Sequence, residues 1–89
     1  MVKREVTIVN KLGLHARAAA KFVTLASRFA SEIQLAREDR QVNGKSIMGV
    51  MMLAAGRGTR VTLQADGEDE HAAIEELTSL IEQRFGESE

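Results

Sequence analysis

The sequence predicts an α+β fold, an open-faced two-layer sandwich in which a four-stranded antiparallel sheet carries three helices on one face, in the order βαββαβα. Three observations carry the prediction. Four segments alternate apolar and polar residues, three others repeat apolar residues at helical spacing, and glycine, asparagine and aspartate stand between them.

From Arg4 onward Val6 and Ile8 alternate with polar neighbours, a half-buried strand that ends at Asn10 and Gly13. Ala19, Phe22, Val23, Ala26, Phe29 and Ala30 then share one helical stripe, with Arg17, Lys21, Thr24 and Arg28 off it, so a helix is expected over about residues 16–28. Ile33 and Leu35 mark a second strand over 32–37, with the stem of Arg37 on the same face. Glu38-Asp39-Arg40 leads to a short third strand ending near Val42, and Asn43-Gly44-Lys45 forms a turn. Ser46 is placed to cap a short apolar helix over 47–53. Val61, Leu63 and Ala65 define a fourth strand that Asp66-Gly67 closes. Glu68, Asp69 and Glu70 crowd the positive end of a last helix whose stripe is Ala73, Ile74, Leu77, Leu80 and Ile81, with Gly86 as its stop.

The totals exclude several classes of function. Eighty-nine residues make one domain spanning 1–89, and folding removes roughly 60–65% of its chain surface from water. The only aromatics are Phe22, Phe29 and Phe85, so the core rests on aliphatic residues. A net charge of -1 provides no general attraction to nucleic acid or anionic membrane. With no cysteine there is neither a disulfide framework nor a thiolate metal site, and a cytoplasmic location is expected. No apolar leader follows the charged Met1–Glu5 segment, and nothing approaches the roughly 20 apolar residues of a membrane span.

The most informative chemistry is Gly13-Leu14-His15-Ala16-Arg17, a histidine where a glycine-containing loop becomes a helix, with an arginine two residues on. Free N–H groups and the positive helix end favour an anion there, by roughly 0.3–1 kcal/mol. Neutral imidazole is a nucleophile near physiological pH. A phosphoryl group on the ring would meet the first-turn N–H groups, and Arg17 would bond to it with charge assistance. On position alone a lone histidine at a helix start is usually just a tolerated capping residue. No second histidine, cysteine or carboxylate lies close in sequence to build a metal site or a triad, and His71 reads as a solvated surface residue.

Asn10-Lys11-Leu12-Gly13-Leu14-His15-Ala16-Arg17 resembles the active-site signature of the HPr family of bacterial phosphotransferase-system phosphocarriers. Gly44-Lys45-Ser46-Ile47-Met48-Gly49 resembles that family's second signature, around a regulatory serine. The separation of the two fits, and the order of elements follows the family across essentially the whole chain. The resemblance implies an HPr-like fold, phosphorylation of His15 at Nδ1 and Arg17 as its electrostatic partner. It implies that phosphoenolpyruvate-charged enzyme I is the donor and an EIIA-type protein the acceptor, in sugar uptake or nitrogen-related regulation. The chain would be a monomeric carrier without turnover of its own, needing no cofactor or metal. The family usually has proline after the His-Ala/Thr-Arg triplet, whereas this chain has Ala18 and no proline anywhere. Alanine suits a first helical turn, so Ala18 is expected to loosen it slightly without abolishing phosphorylation.

Ser46 has a structural role as an N-cap, and the resemblance adds HPr kinase/phosphorylase as a modifying partner. A phosphate there would put about two negative charges beside the docking surface without unfolding the helix. Leu14, Ile47, Met48 and Met51 are expected to ring His15 as a docking patch, since methionines adapt to several partners, with Arg17 and Lys45 supplying charge. Arg28, Arg37, Arg40, Arg57 and Arg60 read as solvated faces. Two other folds share a similar element order. An RNA-recognition module needs aromatic residues on its strands, and these strands have none. A small-ligand regulatory domain of the ACT type remains the alternative, though it gives no reason for Gly-Leu-His-Ala-Arg at a helix start.

Overall fold

A computed structural model describes residues 1–89. Its elements are β1 (Val2–Thr7), α1 (Ala16–Ala26), β2 (Glu32–Arg37), β3 (Arg40–Asn43), α2 (Ile47–Met52), β4 (Arg60–Asp66) and α3 (Glu70–Glu82), followed by one 3₁₀ turn at Arg84–Gly86. The expected βαββαβα order and four-stranded antiparallel sheet are present, with strand order β1-β4-β2-β3. In register, Val6 faces Val61, Leu63 faces Leu35 and Ala65 faces Ile33, so one side of the sheet is apolar. These side chains are buried with Phe22 and Ala26 of α1, Val50 of α2 and Ile74, Leu77 and Ile81 of α3. Lys3, Glu5, Thr62 and Gln64 alternate with them toward the open side. Period two in the strands and period 3.6 in the helices are thus two views of one core.

The expected boundaries shift in several places. Helix α2 ends at Met52, one residue early, and α3 ends at Glu82, so Gly86 belongs to the 3₁₀ turn beyond it and is not the helix stop. Helix α1 stops at Ala26 rather than Arg28, because Arg28 N bonds to Leu25 O at 3.0 Å and Phe29 N to Ala26 O at 3.2 Å, tightening the end to 3₁₀ spacing. Phe29 and Ala30 therefore lie in the following loop. Helix α3 begins at Glu70, and Asp69 does not cap it. Its carboxylate instead reaches across to the α1–β2 loop, accepting from Ala30 N at 2.8 Å, Ser31 N at 3.0 Å and Ser31 Oγ at 2.5 Å. The Ser31 hydroxyl and then the Ala30 N–H hold the Asp69 carboxyl below its usual pKa.

Two arginines expected in solvent are structural. Arg37 donates to Leu53 O at 3.1 Å and Ala54 O at 2.8 Å, and Arg40 donates to Met52 O at 3.0 Å. These carbonyls are the unpaired acceptors at the end of α2, where a cation also meets the negative end of the helix. Lys45 is likewise committed: its Nζ donates to Phe29 O at 2.7 Å, pinning the α1–β2 loop. Arg60 does lie in solvent, 3.5 Å from an exposed Glu5. No helix is long and apolar enough to cross a membrane.

Candidate functional site

His15 is the N-cap of α1, with extended backbone (φ −72°, ψ 177°) and no side-chain bond to the first turn. The first intrahelical bond runs from Ala19 N to His15 O at 2.8 Å, so the N–H groups ahead of it are donors without an intrahelical partner. Ala18 occupies the first turn fully buried, as part of the core. Arg17 is exposed and makes no ion pair; with Lys11, Leu12, Ala16, Ser88 and Glu89 it lines a shallow depression around His15.

The loop that delivers His15 is tied down at Asn10, Gly13 and Leu14. Gly13 adopts φ +67° and packs so closely that a Cβ would fall 2.5 Å from Ala55 O and 2.7 Å from Gly56 Cα. Leu14 N donates to Ala55 O at 2.9 Å. Asn10, expected only as a turn residue, is completely buried, and its Nδ2 donates to Gly13 O at 2.8 Å and to Glu87 Oε1 at 2.9 Å.

Glu87 is the residue that sequence reasoning missed. Its second carboxylate oxygen bonds His15 Nε2, across 72 residues of sequence. The Asn10 amide first, and the His15 ring next, hold its carboxyl below the ordinary glutamate pKa. It arrives by an unusual turn in which Arg84 (φ 59°), Phe85 (φ 55°) and Gly86 (φ 78°) are all left-handed. A non-glycine residue in that conformation costs roughly 1–2 kcal/mol. Burial of Phe85 offsets it, and Lys21 Nζ fixes the turn by donating to Phe85 O at 2.7 Å. In the sequence the only hint is an aromatic residue followed by glycine, Phe85-Gly86, just ahead of Glu87.

The docking residues separate into two groups. Met48 is 70% exposed, Ile47 44% and Met51 39%, and Met52 and Leu12 are exposed apolar side chains as well. Leu14 is 5% exposed and belongs to the core, which corrects its assignment to the patch: it sits where the loop turns inward to start α1. The Lys45 ammonium keeps its charge, but its bond to Phe29 O fixes where that charge sits. Ser46 caps α2 as expected, its Oγ accepting from Gly49 N at 3.1 Å. His71 is exposed, 3.9 Å from Glu70.

Comparison with known proteins agrees with this geometry. A family model described as "PTS HPr component phosphorylation site" matches residues 2–83. The phosphocarrier protein HPr of Cupriavidus necator is 58% identical over 89 residues, covering 100% of both chains. The phosphocarrier protein NPr of Shewanella violacea is 41% identical over 98% of this chain and 96% of its own. Among solved structures, HPr from Thermoanaerobacter tengcongensis superposes with a TM-score of 0.96 at 48% identity, over 100% of each chain. An HPr dimer from the same organism superposes at 0.79 with 49% identity, over 98% of this chain and 100% of that one. A histidine at a helix start within this fold, together with full-length likeness to these proteins, places the chain in the HPr family of phosphotransferase-system phosphocarriers.

Proposed function

We propose that this chain, acting as one domain over residues 1–89 in the cytoplasm, takes a phosphoryl group from phosphoenolpyruvate-charged enzyme I onto His15 Nδ1 and passes it to an EIIA-type protein. The observation that carries this reading is the position of His15 at the start of α1, beside uncapped N–H groups and the unpaired Arg17. In the transfer, the Nδ1 lone pair forms a bond to phosphorus, the bond between phosphorus and the donor enzyme breaks, and its electron pair returns to the donor. The helix start and Arg17 then stabilise the phosphate's charge. The one carboxylate on the ring, Glu87, sits on Nε2 and away from the attacking nitrogen, so the partner's active site completes each half of the exchange. The chain with phosphoenolpyruvate, Mg²⁺ and enzyme I should gain one phosphate that is lost in acid. Absence of that phosphate would overturn the reading and favour a ligand-binding domain of the ACT type.

The greater identity to the HPr of Cupriavidus necator than to the NPr of Shewanella violacea supports the HPr branch. Charging by the sugar-branch enzyme I at least tenfold faster than by the nitrogen-branch enzyme would bear that out. The docking patch is Ile47, Met48 and Met51, with Arg17 as its charge, and the carrier acts on its partners as a monomer. Met48→Ala should cost about 1 kcal/mol of docking. That is a roughly fivefold higher KM for the carrier in the enzyme I assay, with kcat little changed. An unchanged KM would remove Met48 from the patch.

Ser46 is proposed as the substrate of an HPr kinase/phosphorylase. With such a kinase and ATP the chain should acquire phosphoserine, and Ser46→Ala should not. The same substitution removes the bond from Gly49 N, so it should also lower unfolding stability by about 1 kcal/mol in denaturant titration. A kinase that leaves the wild-type chain unmodified would sink the regulatory role, whatever the stability result.

A further inference from the structure

We infer that Glu87 is a positioning residue for the phosphoryl acceptor, holding the proton of the neutral His15 ring on Nε2 so that Nδ1 keeps its lone pair. The inference deepens the reading of His15 given above and rests on it. The argument begins with donors and acceptors. The Glu87 carboxylate meets two partners, Asn10 Nδ2 on one oxygen and His15 Nε2 on the other. Asn10 Nδ2 can only donate, and its second hydrogen is taken by Gly13 O at 2.8 Å. An ionised carboxylate can only accept. The shared bond with the ring therefore requires a hydrogen on Nε2, and a neutral imidazole with Nε2–H has its free lone pair on Nδ1, which makes no hydrogen bond in this structure.

Several observations show that the contact is built into the fold rather than a chance meeting of surface groups. Asn10 is completely buried, and the Glu87 side chain is only 16% exposed. The left-handed Arg84–Gly86 turn, anchored by buried Phe85 and by Lys21, aims this residue back at the start of α1. Lys11 N, donating to Glu89 O at 3.1 Å, holds the chain on the other side. The carboxyl is also kept ionised, its proton affinity lowered first by Asn10.

The consequence for transfer follows from the proton count. When the Nδ1 lone pair bonds phosphorus and the bond between phosphorus and the donor enzyme breaks, the Nε2 hydrogen stays, and the ring gains positive charge. Glu87 faces that charge, so it aids formation of the phosphorylated ring as well as presenting the attacking atom. At metal centres, a carboxylate that fixes the tautomer of a ligating histidine contributes about ten- to a hundredfold in activity, and the same scale is expected for this ring.

The test reads the ring directly. Histidine-¹⁵N-labelled full-length chain, at a pH where the ring is neutral, should show His15 protonated on Nε2. Glu87→Ala should raise the share protonated on Nδ1 and slow uptake from enzyme I about ten- to a hundredfold. Met48→Ala, which touches docking alone, should leave the ring signature as in the wild type. Glu87→Gln serves if the alanine variant melts early: with its one oxygen kept by Asn10, its NH2 faces the ring and favours a hydrogen on Nδ1, so the Nδ1-protonated share should rise and uptake fall again. A wild-type ring protonated on Nδ1, or an alanine variant unchanged in both signature and rate, would overturn the inference. A wild-type chain that takes no phosphate would instead overturn the acceptor role of His15, while the ring signature, recorded without any partner, would still decide the role of Glu87.

Discussion

His15→Ala should leave a folded protein that acquires no phosphate from enzyme I, even in prolonged incubation. The loss is complete rather than partial because no other imidazole shares the site. His71, the second histidine, lies at the start of α3 beside Glu70, where negative charge opposes a phosphoryl group and the neighbouring Arg4 is already paired with Glu75. Folding should survive, since the His15 side chain does not cap α1 and is itself partly exposed. The expected stability change is within about 1 kcal/mol. Intact mass before and after acid treatment, alongside a thermal melt, reads both parts. Acid-labile phosphate on the folded variant would show that the acceptor lies elsewhere.

Gly13→Ala should produce the largest structural loss of any single methyl group near the site. The new Cβ would sit 2.5 Å from Ala55 O, a backbone atom that also accepts from Leu14 N, so relief must move the 54–56 loop or the chain carrying His15. The left-handed φ of +67° adds about 1–2 kcal/mol of conformational cost. With the overpacking term, the loss should total about 2–4 kcal/mol. For a chain of this size each kcal/mol lowers the melting temperature by roughly 4–8 °C. Phosphoryl uptake should fall at temperatures where the variant is still folded, because Gly13 O holds the Asn10 amide that in turn holds Glu87. Gly56→Ala provides the control: a Cβ there meets nothing within 4 Å, so its melt should stay near the wild type. Equal melts for the two variants would show that the 54–56 loop yields without cost.

What was legible in the sequence is what short-range physics determines. Alternation in Val61, Leu63 and Ala65, and helical spacing in Ala19, Phe22 and Ala26, state which faces must leave water, and the buried core contains those residues. Ser46 was readable as a cap because the bond to Gly49 N spans three residues. The same periodicity overran at Phe29 and Ala30, because an apolar stripe does not record where backbone bonds change from helical to 3₁₀ spacing. Charge was the least readable property. Arg37, Arg40, Lys45 and Asp69 all resemble solvated residues in a list, yet each bonds backbone groups of a neighbouring segment.

The sequence by itself determined the layer architecture and singled out a histidine at a helix start, because both follow from spacing over a few residues. Only the tertiary structure decided what surrounds that histidine. Burial of Phe85 and the left-handed turn at its position carry Glu87 across 72 residues to His15, and Asn10 receives it there. Such a contact leaves no local periodicity behind: it depends on where the end of α3 lies once its apolar stripe has packed against the sheet. The same reason moved Leu14 into the core and left Met48 and Met51 outside. All three are apolar side chains, separated only by which side of the closed core each one faces.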